Sequence, residues 1–481
     1  MFDIAFDRIY KALRRDEDLS TELDWAEQAS WVLFLKYLHD SEIERADAAE
    51  LEGKPHIPIL DPDFSWGAWA YPSVNGRLND DSAKIGDDLI EFVKNKLFPY
   101  LAGLKSNNHK TTSIQYKIGE VFSGIRCRYN SGYILRDVIE EVNSLEFNSQ
   151  SQRYQLSELY ETRIKNIGNS GRNGGEYYTP RPLIRAMIKT IDPKIGETIY
   201  DGAVGSAGFL CEAFEYLKKP HLSASEYEFL QTQTLYGQEK KPLAFIIGTI
   251  NMILHGVDSP NIVRGNTLAK NVNDIQESER HDIVLANPPF GGESEDNSVK
   301  LNFPIQSGEA AYLFLQHFIR KLKVGGRAAV VIKNTFLSNG DAKTLREELT
   351  KTCNVHTILD CPQGTFQGAG VKTVVLFFEK GKATKDIFYY QLNPGRNLGK
   401  TNPLNDNDLS EFLNLQKDRT DSENSWSIDL SNIDQDSFDL SPKNPNTPEE
   451  APLRPPEEII EDMITRDKET ADILEKIRGM L

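Results

Sequence analysis

The hydrophobic pattern divides the chain into a helical region, a region of alternating strands and helices, and a polar tail. Apolar positions recur at helical spacing in 25–46 and 135–145, which predicts helices with one apolar side. Residues 56–73 contain too many prolines and aromatics for a continuous helix, so we predict a packed loop there. A Gly- and Asn-rich stretch at 166–175 then breaks the pattern. We therefore assign residues 1–155 to a helical N-terminal domain.

Short β-rich runs alternate with helical stretches from Glu197 to about Gln391. The runs are TIYD, TLYGQE, IVRG, DIVLAN, RAAVVI and HTILDC, followed by TVVLFFEK and DIFYYQL. This alternation predicts an α/β fold with a Rossmann-like, mainly parallel sheet, and the last two runs predict an antiparallel C-terminal hairpin. We assign this domain residues 156–395. Because such sheets bind ligands at the carboxyl ends of their strands, the residues after each strand are the candidates for function.

The tail, residues 396–481, is polar and acidic. Residues 439–458 are proline-rich and predict an extended connector. The final segment predicts a helix with apolar residues broadly along one side: Ile459, Ile460, Met463, Ile464, Ile473, Leu474, Ile477 and Leu481. Such a helix packs either on its own domain or on a partner, and the sequence leaves both readings open.

Composition narrows the classes of protein that the chain can belong to. No apolar run approaches the ~20 residues that a membrane span needs. Cys127, Cys211, Cys353 and Cys361 are scattered without CxxC spacing, which predicts buried free thiols in a reducing compartment and so a cytoplasmic protein. The net charge of -17 opposes long-range attraction to nucleic acid phosphates.

Three strand ends carry residues that suit a nucleoside. YDGAVGSAGFL (200–210) opens a helix with glycines that permit close backbone approach, although alone it is equally an ordinary strand-to-helix turn. Glu239, at the end of the next strand, can accept two hydrogen bonds from a ribose diol, although alone it reads as a surface carboxylate. GNTL (265–268) can place an amide and an apolar side chain beside adenine. Together, in this order, they predict a nucleoside pocket.

The next strand ends in Asn287-Pro288-Pro289-Phe290. An exocyclic amine on a conjugated ring is a poor nucleophile because its lone pair is delocalised. The side-chain carbonyl of Asn287 and the main-chain carbonyl of Pro288 can accept its two N–H groups and favour the geometry in which the lone pair is free. The prolines stiffen the peptide, and Phe290 offers a face on which a planar base can stack.

These motifs, in this order, resemble the amino-group DNA methyltransferases that use S-adenosylmethionine (AdoMet), and specifically the modification subunit of type I restriction-modification systems. The resemblance covers most of the chain and includes GEYYTPRPL (175–183) and CPQGTFQGAGVKTVVLFFEK (361–380). It implies a site-specific DNA methyltransferase that transfers a methyl group from AdoMet to adenine N6. The adenine must be flipped out, because a stacked, paired amine cannot reach the pocket. No metal is implied.

The resemblance also implies the residues of the site. Asn287 to Phe290 form the catalytic tetrapeptide that receives the target adenine. Thr179 and Pro180 form a helix start that suits the methionine carboxylate, although a simple helix cap has the same sequence. The implied cofactor-binding residues are Glu176, Tyr177, Tyr178, Thr179, Asp201, Gly202, Gly205, Ser206, Gly208, Phe209, Glu239, Asn266, Thr267, Leu268 and Asn287. Ala207 stands where a glycine is frequent, and Asn266 where an aspartate often contacts the adenine of the cofactor.

The partners implied by the resemblance are double-stranded DNA, a specificity subunit that recognises the target sequence, and, as a further member of the assembly, an ATP-driven restriction subunit. Because recognition belongs to another chain, the modification chain need not be basic overall. The terminal helix is then a candidate dock for the specificity subunit, and the N-terminal domain a candidate DNA clamp.

Two other functions fit part of the pattern. A protein-glutamine methyltransferase also activates a conjugated nitrogen, but Phe290 stands where that family is expected to have tyrosine, and the flanking domains and GEYYTP oppose it. A non-catalytic scaffold would retain the fold and bind DNA or partners. Asn287, Pro288 and Phe290 are all present, so the sequence shows no loss of the catalytic residues. AdoMet binding without methyl transfer would identify a scaffold.

Overall fold

The N-terminal region is helical, as predicted. The computed structural model describes residues 2–74, 77–79, 81–106, 109–111, 113–146, 152, 179–290, 297–366, 370–446 and 456–480. The helices described in the N-terminal region are α1 (Phe2–Leu13), α2 (Glu22–Leu51), α3 (Trp66–Trp69), α4 (Gly86–Phe92), the π-helical turn Val93–Leu97, α5 (Phe98–Gly103), α6 (Ile114–Phe122) and α7 (Gly132–Asn143). Helices α2 and α7 cover the segments in which apolar residues recur at helical spacing.

Local chemistry explains where the longest of these helices begins and how it is attached. Thr21 and Asp24 form a capping box, in which each side chain accepts the other residue's backbone N–H. Further along α2, the Tyr37 hydroxyl donates to the carbonyl of Ile253 at 3.0 Å, in the α/β part of the chain. The N-terminal region therefore packs against the domain that follows it.

The stretch 56–73 contains little regular structure. A 3-10 turn at Pro62–Phe64 leads into the single turn of α3, whose two tryptophans are buried. The two-residue strands β1 (Ser73–Val74) and β2 (Arg77–Leu78) then pair antiparallel. The prediction of a packed loop is confirmed for the most part, since its aromatic residues join the hydrophobic core.

The described residues also form a nine-stranded sheet. Its strands are β3 (Ile199–Asp201), β4 (Leu235–Glu239), β5 (Asn261–Arg264), β6 (His281–Ala286), β7 (Leu322–Lys333), β8 (Cys353–Cys361), β9 (Thr373–Lys380), β10 (Asp386–Gln391) and β11 (Ser425–Asp429). The order is β5-β4-β3-β6-β7-β9-β8-β10-β11, with only β9 and β11 running opposite to the rest. The predicted α/β class with a mainly parallel sheet is confirmed.

Helices connect and cover these strands. They are α8 (Arg181–Ile191), α9 (Gly208–Leu217), α10 (Ala224–Thr232), α11 (Pro242–Leu254), α12 (Asn297–Lys300), α13 (Ala310–Lys321) and α14 (Lys343–Thr352), with 3-10 turns at Thr267–Ala269, Val272–Asp274, Glu277–Glu279, Asn334–Leu337 and Gly340–Ala342. Successive residues of β9 belong to two separate buried clusters, with Val375 and Phe377 in one and Leu376 and Phe378 in the other. Because side chains alternate along a strand, both faces of the sheet are covered.

The predicted pairing of TVVLFFEK with DIFYYQL as a hairpin is wrong. These segments form β9 and β10, and β8 lies between them in the sheet. The connection crosses the start of β8, where the Gly381 N–H donates to the Thr352 carbonyl at 2.9 Å and the Thr384 hydroxyl donates to the Cys353 carbonyl at 2.8 Å. Strand β8 forms hydrogen bonds with both β9 and β10. The short turn therefore connects two strands that do not pair with each other.

The main sheet draws on the chain beyond residue 395, where the catalytic domain was predicted to end. Strand β11 pairs antiparallel with β10, with Tyr389 opposite Trp426. The 3-10 turns Asp406–Leu409 and Leu430–Asn432 and helix α15 (Ser410–Asp418) flank this strand. The terminal helix α16 (Pro456–Met480) leaves its apolar side chains about half exposed, from 47% at Ile459 to 62% at Met463.

Two further predictions concern the whole chain. All four cysteines are free thiols; three are buried and Cys127 is partly buried. Within the described part of the chain, no helix combines the length and the apolar character that crossing a bilayer requires.

Candidate active site

The four strand ends singled out in the sequence lie side by side at one edge of the sheet. Asp201 of β3 is in register with Gly237 of β4, and Glu239 of β4 with Arg264 of β5. Strand β6, which precedes Asn287, pairs with the other side of β3. The chain therefore changes direction across the sheet at β3, and in open α/β sheets the crevice at such a point holds the ligand.

Two positions in the loop after β3 favour glycine. A Cβ atom at Gly202 would lie 2.8 Å from Cε1 of Phe318 and 3.1 Å from Cγ2 of Thr267, and Gly205 has a φ of +53°. Ala207, the residue that replaces a frequent glycine, also has a positive φ of 62° and is fully buried. A left-handed alanine carries a steric cost that glycine avoids, which explains why glycine suits this position.

Glu239 fixes the glycine loop from the neighbouring strand. One carboxylate oxygen accepts the Gly205 N–H at 2.9 Å and the other accepts the Lys241 N–H at 2.8 Å. Burial raises the pKa of Glu239, while these two amide bonds oppose the rise. The carboxylate at the predicted ribose position therefore also holds the loop in place.

Asp201 is buried with unused hydrogen-bonding capacity. Its Oδ1 accepts the Ala203 N–H at 2.9 Å, whereas its Oδ2 has no hydrogen-bond partner among the described residues. Burial, with the nearby Glu239 carboxylate adding to it, raises the pKa of Asp201 to about 8. A buried polar atom without a partner is costly, so this atom is suited to a ligand that donates a hydrogen bond.

The raised pKa of Asp201 predicts how stability depends on pH in the ligand-free protein. The unfolded chain releases this proton near pH 4, whereas the folded protein keeps it up to about pH 8. The contribution is complete below pH 4 and is lost progressively as pH rises to about 8, by up to about 1.4 kcal/mol per pH unit. We expect Asp201→Asn to flatten this decline in unfolding experiments with urea at pH 5, 6.5 and 8; equal slopes in the two proteins would contradict it.

The residues after β5 are tied to the same loop. The Thr267 hydroxyl donates to the Gly202 carbonyl at 2.6 Å. The Asn266 side-chain oxygen accepts the Leu268 N–H at 3.1 Å and so starts a 3-10 turn, and Leu268 is fully buried. Asn266 thus uses its oxygen locally, which leaves its amide N–H groups to meet a ligand.

Asn287 lies beside the helix start that was predicted for the cofactor. Its side-chain Nδ2 donates to the Thr179 hydroxyl oxygen at 3.0 Å, and its Oδ1 is buried without a hydrogen-bond partner in the described part of the chain. Phe290 is half-buried and makes an edge-to-face contact with Phe366, with ring centroids 5.2 Å apart. Pro288 is buried. Among the described residues, the tetrapeptide therefore presents the unpaired Asn287 Oδ1 and an aromatic ring that packs against Phe366.

Two contacts of this site were not predicted from the sequence. Phe366 lies within segment 361–380, but its contact with Phe290 was not predicted. Thr179 was predicted to bind the cofactor, but its hydrogen bond to Asn287 was not. Proximity of Thr179 and Asn287, which are 108 residues apart, has no local sequence signal. The sequence TFQG (365–368), which follows a β-strand, was the feature that could have marked Phe366 as a candidate site residue.

The remaining predicted residues have different surroundings. Ser206 and Phe209 are buried, and the Ser206 carbonyl accepts a hydrogen bond from Asn251 Nδ2 at 2.8 Å. A Cβ at Gly208 would lie 2.9 Å from Cδ1 of Ile184, so helix α8 packs closely on the loop. The predicted residues Glu176, Tyr177 and Tyr178 lie outside the described residues.

Comparison with known proteins assigns the chain to a family. The model of the N-6 DNA Methylase family matches residues 151–452. This chain belongs to that family. It is 33% identical to the type I restriction enzyme EcoEI methylase subunit of Escherichia coli, over 98% of this chain and 95% of that one. It is 30% identical to the StySPI methylase subunit of Salmonella potsdam, over 70% of this chain and 66% of the relative.

Solved structures agree with this membership of the N-6 DNA methylases. A modification subunit from Vibrio vulnificus YJ016 superposes with a TM-score of 0.83 at 34% identity, covering 92% of this chain and 96% of that one. A chain from a type I restriction-modification system gives 0.76 at 34% identity, covering 98% and 96%. The chain is thus a DNA adenine methyltransferase and the modification subunit of a type I system. The family resemblance and the N6-adenine methylation that the sequence predicted are confirmed.

Proposed function

We propose that this N-6 DNA methylase uses the four strand ends to bind AdoMet and a flipped-out adenine of double-stranded DNA. The observation that carries the proposal is the buried Oδ1 of Asn287, which has no partner among the described residues. Such an acceptor costs free energy until a donor reaches it. The adenine N6 amine can donate a hydrogen bond to this oxygen. Asn287 also lies at the strand end where the sequence predicts that the target amine is activated.

The residues around the glycine loop fit AdoMet. Asp201 offers a buried oxygen with no partner among the described residues, Gly202 and Gly205 let the loop backbone approach a ligand, and Glu239 lies on the adjacent strand end. Glu239 would hold the ribose hydroxyls, and Asp201 with the glycine loop the methionine and ribose portions. Asn266, Thr267 and Leu268 would hold the adenine. AdoMet supplies a methyl group on a positively charged sulfur, which makes it a good methyl donor.

The protein's own part in the reaction is to position and polarise the target amine. Asn287 Oδ1 and the Pro288 carbonyl accept the two N–H groups of N6, which directs the nitrogen lone pair away from the ring. Phe290 stacks on the flipped base, and such stacking contributes roughly 1 to 3 kcal/mol per base. Phe366 restricts the Phe290 ring by its edge-to-face contact, so the stacking surface is ready before the base arrives.

One reaction tests the proposal against its two alternatives. The chain, assembled with its specificity subunit, is incubated with double-stranded DNA and AdoMet labelled on the methyl group. We expect the label only in N6-methyladenine when the nucleosides are separated by mass spectrometry. Label in protein glutamine would establish the glutamine methyltransferase instead. AdoMet binding without any methyl transfer would establish the scaffold.

The exposed apolar side of α16 supports a dock for the specificity subunit. Its isoleucines, leucine and methionine are about half exposed, and the helix carries none of the buried residues of the hydrophobic core. An amphipathic helix with an uncovered apolar side suits a partner that supplies a complementary apolar surface.

The predicted domain limits of 1–155, 156–395 and 396–481 likewise stay proposals.

Removing α16 is expected to abolish assembly. We expect a chain ending at residue 455 to lose co-purification with the specificity subunit while it keeps AdoMet affinity, because the strand ends lie elsewhere. A matched variant replaces exposed polar residues of the same helix, such as Glu469→Gln. Full binding by the truncated chain would show that the dock is on another surface.

A further inference from the structure

The Asn287 side chain can act on the target amine in only one orientation of its amide group. Rotation by 180° about χ2 exchanges the carbonyl oxygen, which accepts, with the NH₂ group, which donates. An NH₂ group facing the N6 amine would place donor against donor. Activation of the amine therefore requires something that keeps Oδ1 on the substrate side.

The structure places one group that restrains the position of this side chain. Nδ2 of Asn287 donates to the hydroxyl oxygen of Thr179 at 3.0 Å, while Oδ1 is buried and has no partner in the described part of the chain. With Thr179 on one side and the target amine on the other, only one amide orientation makes both hydrogen bonds. The flipped orientation would leave the amine without its acceptor.

Thr179 is held on a fixed element. It comes two residues before helix α8, whose Arg181 donates to the Gly208 carbonyl at 2.9 Å. Ile184 of the same helix packs so closely on Gly208 that a Cβ there would lie 2.9 Å from its Cδ1. The hydroxyl is therefore anchored to the glycine loop as well as to Asn287, and it holds the Asn287 side chain in place at the strand end.

We infer that Thr179 is a positioning residue for methyl transfer: its hydroxyl bonds to the Asn287 amide and holds the side chain where the amide carbonyl can meet the target N6. The inference rests on the proposed function of Asn287. It differs from the family-based assignment of Thr179 to the methionine carboxylate, because it predicts a loss in the rate of the chemical step without a loss of cofactor affinity.

The test uses the assembled complex of this chain with its specificity subunit. Thr179→Val keeps the shape of the side chain and removes the hydroxyl, whereas Thr179→Ser keeps the hydroxyl. Thr190→Val is the matched control on the same helix, because the Thr190 hydroxyl is buried without a hydrogen-bond partner among the described residues. Three quantities are measured: the single-turnover rate of N6 methylation, the AdoMet Kd by calorimetry, and the melting temperature.

We expect Thr179→Val to lower the single-turnover rate roughly 10- to 100-fold with an AdoMet Kd within about twofold of the parent, the range set by loss of one buried hydrogen bond. Thr179→Ser and Thr190→Val should react at rates near that of the parent. A Thr179→Val rate within twofold of the parent would overturn the inference. So would a rate loss that saturating AdoMet restores, because the hydroxyl would then belong to the cofactor pocket.

Failure of the inference is distinguishable from failure of the proposed function. If Asn287→Ala reacts as fast as the parent, Asn287 is not the acceptor, and both statements are wrong. If Asn287→Ala is inactive while Thr179→Val is normal, only the role of Thr179 is wrong. Loss of the melting transition in Thr179→Val but not in Thr179→Ser would instead show a structural role for the hydroxyl.

Discussion

Replacing Asn287 by alanine is expected to reduce N6-adenine methylation about 10²- to 10³-fold, the range seen when one preorganised polar group is removed from an active site. Asn287 follows β6, and among the described residues its side chain makes one hydrogen bond, to Thr179. Its loss therefore removes an acceptor for the target amine without removing a buried apolar contact. We expect the AdoMet Kd and the melting temperature to stay close to those of the parent protein.

The measurement combines two readouts. Single-turnover methylation by the purified complex gives the rate, and mass spectrometry of nucleosides from host DNA gives the product. N6-methyladenine should fall in the variant strain, while 5- and N4-methylcytosine should not change. Asn273→Ala is a matched control, because Asn273 is exposed and lies away from the strand ends. Unchanged N6-methyladenine in the Asn287→Ala strain would refute the proposed role.

Replacing Glu239 by glutamine is expected to weaken AdoMet binding about 100-fold, which corresponds to about 3 kcal/mol. The two carboxylate oxygens of Glu239 each accept a backbone N–H, from Gly205 and Lys241. A glutamine amide has one oxygen, so its NH₂ group must face one of these two donors. The substitution therefore disturbs the glycine loop and removes an acceptor from the proposed ribose position at the same time.

Calorimetric titration with AdoMet measures this effect directly. Glu228→Gln makes the same chemical change on the exposed surface of α10 and should leave the Kd unchanged. Because a glutamine leaves one of the two backbone N–H groups without an acceptor, we also expect a lower melting temperature for the ligand-free protein. An AdoMet Kd equal to that of the parent would exclude Glu239 from the pocket.

The two departures from the family pattern have local explanations. Ala207 occupies a left-handed conformation at the start of α9, so Ala207→Gly would relieve steric strain but would also remove a buried methyl group. Asn266 caps its own 3-10 turn through its oxygen and keeps its amide N–H groups. An aspartate there would present only acceptors, so Asn266 offers a different hydrogen-bonding surface to an adenine.

Sequence patterns located most strands because each strand carries a compact β-rich run. They missed β11, although SWSID alternates in polarity, because the run is short and stands in a polar, acidic tail. They paired β9 with β10 because a short turn joins them, whereas β8 lies between them. A short turn allows the two strands that it joins to pair. Whether they do depends on whether another strand, here β8, forms hydrogen bonds with them instead.

The sequence by itself determined the fold class, the order of the motifs and the chemistry available at each strand end, because these depend on residue type and local periodicity. Only the tertiary structure decided that Thr179 braces Asn287, that Phe366 braces Phe290, and that Glu239 holds Gly205. These contacts join residues that are far apart in the chain. Their formation depends on the packing of whole elements against one another, which no local pattern of residues records.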